Sequence, residues 1–233
     1  MPTSSLAGEQ YHKDRNHQQD AIRKVLVEYE NQILPVIPKT FLGLDFAMHS
    51  LYVASDEDEA KYPDFLRKAE KRLAKAQRKL SQKQKESHNR EKQRLRVAIL
   101  HEKVANQRRD FLHKKARYLA DRYDVIGIED ISVKAMAKRK KGGKFSFGKS
   151  VADNGWNMFT NMLEYKLAWQ GKKLIKIDKW YPSSQLCHVC GYQNHETKDL
   201  SVREWDCPKC GSHHNRDKNA AINIREEARR ISA

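Results

Sequence analysis

The sequence predicts a mixed α/β domain with a small cysteine-bearing module set in before the last helix. Two observations predict it. Short runs of buried-type strand residues alternate with long helical stretches, and all four cysteines fall in two Cys-x-x-Cys pairs. At 233 residues the chain is long enough for one domain of ordinary core size plus a small appendage.

Residues 1–39 read as a polar start and a linker. Residues 25–30 are a short strand or a helix end, and Leu34-Pro35-Val36-Ile37-Pro38 is broken by two prolines. Residues 40–184 form the main domain. It opens on Phe41-Leu42-Gly43-Leu44-Asp45-Phe46, an apolar strand with one acid near its end. Ala47-Met48-His49 makes a turn, and Leu51-Tyr52-Val53-Ala54 returns as the second strand of a hairpin.

From about 62 to 123 the pattern is helical and basic. Leu66, Ala69, Leu73, Ala76 and Leu80 recur at alternating steps of three and four, and Leu100, Val104, Gln107, Phe111 and Tyr118 make a second stripe. The break near Ser87-His88-Asn89 predicts two antiparallel helices. Their outward faces carry Arg67, Lys68, Arg72, Lys75, Arg78, Lys79 and Lys83, then Arg108, Arg109, Lys114, Lys115 and Arg117. Most of these read as a solvated surface. A minority, Arg72, Lys75 and Lys79 among them, are candidate phosphate contacts.

Val125-Ile126-Gly127-Ile128 is a buried strand ending in Glu129-Asp130. The loop after it holds Lys140 and Lys141 in a run of cations, followed by Gly142-Gly143. It is either a lid over a polyanion or a plain surface loop. Lys149 and Arg216 complete the candidate nucleic-acid contacts. Residues 155–168 have helical spacing with Trp156, Phe159, Leu163 and Leu167 inward, and 174–177 is the next strand. The cysteine module is expected at 185–213. The last helix is expected within 214–233, running from about Asp217 to Arg230.

The net charge of +16 and the isoelectric point of about 9.7 point to a polyanionic partner. A solvated basic face with no partner is the alternative. No leader or membrane-spanning stretch is visible, so a cytoplasmic location is expected. Cysteines clustered this closely in a reducing compartment argue for metal rather than disulfides.

Cys187-x-x-Cys190 and Cys207-x-x-Cys210 are separated by sixteen residues. Each pair presents two thiolates from one tight turn, and two such turns close a tetrahedral four-cysteine shell around a structural zinc. Gly191 and Gly211 follow the pairs where a turn needs backbone freedom. His188, His195, His213 and His214 are nearby, but four sulfurs fill the shell, so the histidines are expected at the surface or on phosphates.

Three acids stand at element ends: Asp45, Glu129 and Asp217. If their strands are neighbours, the carboxylates could converge at one sheet edge beside the helix start. Mutual repulsion would then call for a hard cation, Mg or Mn. Two ions roughly 4 Å apart suit in-line phosphodiester hydrolysis. Each acid also has a plain reading. Asp45 could close a hairpin turn, Glu129 could face solvent with Asp130 the acid that matters, and Asp217 could simply favour the helix dipole.

The segments FLGLDF, VIGIEDISVKAM, FSFGKSVADNGWNMF, KIDKWYPSSQLCHVCGY and DLSVREWDCPKCGSHHNRDKNAAINI resemble the TnpB/OrfB family of insertion-sequence proteins, which is related to the type V CRISPR effector nucleases. The resemblance covers residue 25 to the end of the sequence. It implies a RuvC-like, RNase H-type nuclease domain carrying the helical hairpin and a zinc ribbon. It implies that Asp45, Glu129 and Asp217 are catalytic and hold magnesium, with Asp217 matching the acid of the family's Asp-x-Asn-Ala-Ala motif. It further implies DNA cleavage directed by a guide RNA that the element encodes, with target DNA as the other partner. Two departures are visible. About forty residues precede Phe41, where members carry a wedge and a recognition domain, and 25–30 resembles the wedge's last strand. Asn215 stands where members commonly have Asp, and Lys218 where they commonly have an apolar residue. The alternative to a nuclease is a truncated or non-cleaving nucleic-acid-binding protein, a regulator or a transposon remnant.

Overall fold

The structure is a computed structural model that describes residues 33–47, 50–58, 60–131 and 155–233. Among these, strands β1 (Phe41–Phe46), β2 (Tyr52–Ala54), β3 (Val125–Glu129) and β4 (Lys173–Ile177) form one sheet in the order β2-β1-β3-β4. β2 pairs antiparallel with β1, as the hairpin reading requires, whereas β1–β3 and β3–β4 are parallel. The register of β1 on β3 is pinned at its start. The Asp124 carboxylate accepts hydrogen bonds from the backbone N–H groups of Lys39 and Thr40 and from the Thr40 hydroxyl, at 2.9–3.0 Å. Burial pushes this carboxyl up, but those donors and Lys172 outweigh it and hold it below the usual range.

Helices α1 (Phe65–Ser81) and α2 (His88–Arg122) form the basic hairpin, α3 is Trp156–Ala168, and α4 is Arg216–Ser232. The alternation of strand side chains sorts the layers. Leu42, Leu44, Ile126 and Ile128 face the larger core, where they meet Leu112, Ala116 and Leu119 of α2 and Phe159, Leu163 and Leu167 of α3. On the opposite face, Phe41, Val125, Ile175 and Ile177 pack under Ile224 and Ala228 of α4.

The glycines of that second face matter. Gly43 and Gly127 are register partners on neighbouring strands, and together they form a trough for α4. A methyl on Gly43 would lie 2.0 Å from the Ala221 carbonyl oxygen. One on Gly127 would lie 2.6 Å from the Ala228 side chain. Backbone thus packs on backbone, and α4 sits closer to the sheet than a Cβ would allow.

The stripe expected on α1 is buried at Leu73 and Ala76 and partly buried at Leu66, Ala69 and Leu80, and the four inward residues expected on α3 are buried. The stripe expected on α2 needs correction. Val104 is buried, but Gln107 and Tyr118 are exposed, and the buried positions toward the C-terminus are Leu112, Ala116, Leu119 and Ala120. The reason is a change of partner. The first half of this 35-residue helix packs on α1 and the second on the sheet and α3, so no single stripe serves both.

The cysteine module contains a short hairpin, β5 (Glu204–Asp206) with β6 (His213–Asn215). β6 crosses the boundary expected at 213/214 and runs directly into α4, so module and helix are covalently continuous. No described helix is long and apolar enough to cross a membrane. The segment 25–30, the cationic loop with Lys140 and Lys141, and Lys149 lie outside the described residues.

Candidate active site and cysteine centre

Strand pairing brings two of the three acids to one edge. Leu44 of β1 is opposite Ile128 of β3, and the next residues are Asp45 and Glu129. Both are two residues on from the glycine trough, so they project on the face that α4 covers. Ala221 of α4 rests on Gly43, and Asp217 lies one helical turn earlier, toward the end of β1 where Asp45 sits. Asp45, Glu129 and Asp217 are all half-buried, and Asp130 is exposed.

The electrostatics register this proximity. Burial, then the Glu129 and Asp217 carboxylates, drive the Asp45 carboxyl well above its ordinary range, while the Arg216 guanidinium and the Phe46 N–H oppose them. Arg216 Nε is buried and has no hydrogen-bond partner. Burial also raises Glu129, against a hydrogen bond that its Oε1 accepts from the Ser183 hydroxyl. Asp217 pairs with Arg203 at 3.3 Å. Like charges held this way are a chemical reason for a cation. The carboxylates are not drawn together as tightly as the cysteines, which are the one such group among the described residues.

Asn215 caps α4: its side-chain oxygen accepts from the Lys218 N–H at 3.1 Å. Asn and Asp serve that position about equally, so this departure from the family pattern leaves the helix start intact. The Lys218 ammonium donates to the Asp56 carbonyl, tying the helix to the loop after β2.

The four cysteine Sγ atoms lie within 4.8 Å of one another, with Cys187–Cys210 and Cys190–Cys207 both at 3.6 Å. A tetrahedron with metal–sulfur bonds of about 2.3 Å has edges of about 3.8 Å, so the set fits zinc. The thiol chemistry agrees. The Ser212 hydroxyl and N–H pull Cys210 down to about 6. Cys190 feels the Tyr192 N–H pulling down, yet burial and the other three sulfurs push it up to about 12. Four thiolates need a cation to coexist.

One histidine departs from expectation. His214 is buried, its Nε2 is 3.1 Å from Cys187 Sγ, and its ring packs between His188 and Trp205. Burial, then His188 and His213, hold it below the usual histidine range, so it sits neutral beside the sulfur. A closed shell of four sulfurs still leaves room for a neighbour to a ligand, the role that reading the four histidines as surface residues passed over. His195 and His213 are exposed as expected.

Sequence patterns assign no structural role to Ser183, to Asn223 or to Asn219 of the Asp-x-Asn-Ala-Ala motif. The signal was present: two asparagines four apart on a helix face otherwise made of Ala220, Ala221 and Ile224. Polar amides on a core face mark fixed hydrogen-bonding work. Of the candidate nucleic-acid contacts, Arg72, Lys75 and Lys79 share the inter-helix side of the hairpin with Arg96, around a groove of about 420 Å³.

A parallel-centred α/β sheet with acids at one edge and a tetracysteine module joined to the acid-bearing helix defines the class. The chain belongs to the OrfB_IS605 family, described as "Probable transposase", which matches residues 24–140. Residues 156–224 match the "Cas12f1-like, TNB domain". The resemblance to the TnpB/OrfB family is thereby borne out.

Among curated proteins, a "Putative RNA-guided DNA endonuclease" of Streptomyces pristinaespiralis is 40% identical over 196 residues, covering 84% of this chain and 47% of that protein. The "Putative RNA-guided DNA endonuclease InsQ" of Escherichia coli K12 is 33% identical over 212 residues, covering 86% and 52%. The chain therefore spans about half the length of the curated relatives it matches. Among solved structures, a CRISPR-Cas12f ternary complex shares the fold with a TM-score of 0.53 at 20% identity, over 85% of this chain and 40% of that one. A Cas12f1–sgRNA–target DNA complex does so with a TM-score of 0.51 at 21% identity, over 83% and 51%.

Proposed function

We propose that the chain carries the RuvC-like, RNase H-type centre of a metal-dependent DNA endonuclease, with Asp45, Glu129 and Asp217 holding magnesium or manganese. The observation that carries this is the register of β1 on β3, which sets Asp45 beside Glu129 under the first turn of α4. Bound there, divalent cations would activate a water and stabilise the leaving oxygen of a phosphodiester. The protein's own part is to hold the carboxylates. Ser183 fixes one oxygen of Glu129, Arg203 steadies Asp217, and Arg216 offsets the charge on Asp45. The four cysteines hold a structural zinc.

The basic hairpin suits a phosphate backbone, with Arg72, Lys75 and Lys79 on one side of its groove and Arg96 on the other. The names of the curated relatives, RNA-guided DNA endonucleases, support a guide RNA and a target DNA as partners, and the guide would be one that the element encodes. A non-cleaving nucleic-acid-binding role would use the same hairpin and leave the acids idle. Cleavage of single-stranded and guide-matched DNA with Mg2+ decides between them. The nuclease reading expects wild type to cut and Asp45→Ala to lose activity by orders of magnitude. Wild type and Asp45→Ala cutting equally little would leave the binding role.

A further inference from the structure

Two buried asparagines connect the cysteine centre to the acid edge. Asn219 and Asn223 lie four residues apart on α4, and both are buried. Asn219 Oδ1 is 3.1 Å from the backbone N and 2.9 Å from Nδ1 of His188, which sits inside the first cysteine knuckle. Its Nδ2 donates to the Leu186 carbonyl at 2.6 Å. Asn223 Nδ2 donates to the carbonyls of Ser183 and Leu186, both at 2.7 Å. Ser183, itself buried, donates its hydroxyl to Glu129.

The segment 183–188 is thus held from three sides: the knuckle, α4 and Glu129. Its own backbone hydrogen bonds run locally, to residues between Tyr181 and Asn194. The asparagine amides are therefore its polar attachment to α4. Buried amides next to alanines destabilise unless every group is bonded, and here the amide donors converge on one short strap. Asn219 is two residues from Asp217, so the same helix turn carries an acid and grips the knuckle.

We propose that this strap couples the two centres: an ion held by the four cysteines fixes residues 183–188, and these fix Glu129 and the first turn of α4. Ser183, Asn219 and Asn223 are positioning residues. The proposal rests on the reading of Glu129 and Asp217 as cation ligands only for its second readout below.

The first readout is hydrogen exchange on the whole chain, zinc-loaded and after zinc removal by a chelator. Zinc removal speeds exchange at the knuckles, at 125–131 and at 216–221, although the last two hold no zinc ligand. In zinc-loaded Asn223→Ala the exchange at 125–131 is already fast and zinc removal adds little. The second readout is Mn2+ affinity by electron paramagnetic resonance. Zinc removal weakens it about tenfold in wild type, within the usual range of site-to-site coupling. Zinc-loaded Ser183→Ala is weakened similarly, and Ser183→Thr, which keeps the hydroxyl, restores it. Metal analysis accompanies each variant and should find zinc retained.

Exchange at 125–131 that ignores zinc, or Ser183→Ala binding Mn2+ like wild type, overturns the coupling and leaves the nuclease reading standing. Wild type that binds no Mn2+ while exchange at 125–131 still follows zinc overturns the cation reading and leaves the strap.

Discussion

Replacing Gly43 with Ala probes the contact on which the acid edge depends. The added methyl would lie 2.0 Å from the Ala221 carbonyl oxygen and 2.5 Å from the Arg225 backbone nitrogen. Ordinary contact begins near 3.4 Å, so α4 must retreat by about 1.4 Å, the difference between the two distances. Neither obstructing atom is a side-chain tip that can swing aside. Retreat opens a gap beneath Ile224 and Ala228, and a gap of about 1 Å forfeits a quarter to a half of the dispersion attraction there. Overpacking of this kind costs about 3 kcal/mol, at the upper end for an inserted methyl. For a domain of this size that corresponds to a fall of roughly 6–12 °C in Tm. Gly127→Ala meets the Ala228 Cβ at 2.6 Å and the Ile224 carbonyl oxygen at 2.9 Å, both rigid, but needs only about 0.8 Å of retreat, so its fall should be smaller. Thermal unfolding of the zinc-loaded proteins, followed by circular dichroism, reads both. A Gly43→Ala protein melting within about 2 °C of wild type, well short of that expected fall, would refute the claim that α4 rides on the bare strand backbone.

Cys207→Ser should lose most of its zinc and loosen the β5–β6 hairpin, because one missing thiolate opens the tetrahedral shell; one zinc per chain retained by metal analysis would contradict the four-cysteine assignment. Asp45→Asn should raise the Tm of zinc-loaded protein without added magnesium or manganese near neutral pH and change it little at strongly acid pH. The folded state raises this carboxyl, so the stability linked to its proton is full below its ordinary pKa and is lost as pH rises through the folded value. Melts across pH that show no stabilisation at neutrality would count against a crowded, desolvated Asp45. Lys75→Ala with Lys79→Ala should weaken binding to DNA of any sequence and flatten the salt dependence by about two units of slope, as two lost phosphate contacts would; an unchanged slope in titrations across salt would place those side chains off the backbone.

Much of the architecture was legible because local rules and tertiary needs agree. FLGLDF and VIGI are apolar on both faces, which suits strands covered by helices on either side, and both are strands of the parallel pair. Two Cys-x-x-Cys turns have few uses other than a shared ion, and their sulfurs converge. The second hairpin helix is less legible. Its inward face rotates where its partner changes from α1 to the sheet, and a periodic stripe assumes a single partner. The burial of His214 is hidden for a related reason: counting ligands says nothing about what packs against them.

The sequence by itself determined the composition of each part: which stretches are strand or helix, where the hairpin lies, and that four sulfurs share one module. Those properties depend on residues near one another in the chain. The tertiary structure alone decided what faces what. It set Asp45 beside Glu129, laid α4 across Gly43 and Gly127 so that Asp217 comes to the same edge, and brought Ser183, Asn219 and Asn223 between the acids and the cysteines. These partners are separated by tens of residues to more than a hundred and fifty. Their meeting depends on strand register and on the absence of two Cβ atoms, and no local pattern encodes either one.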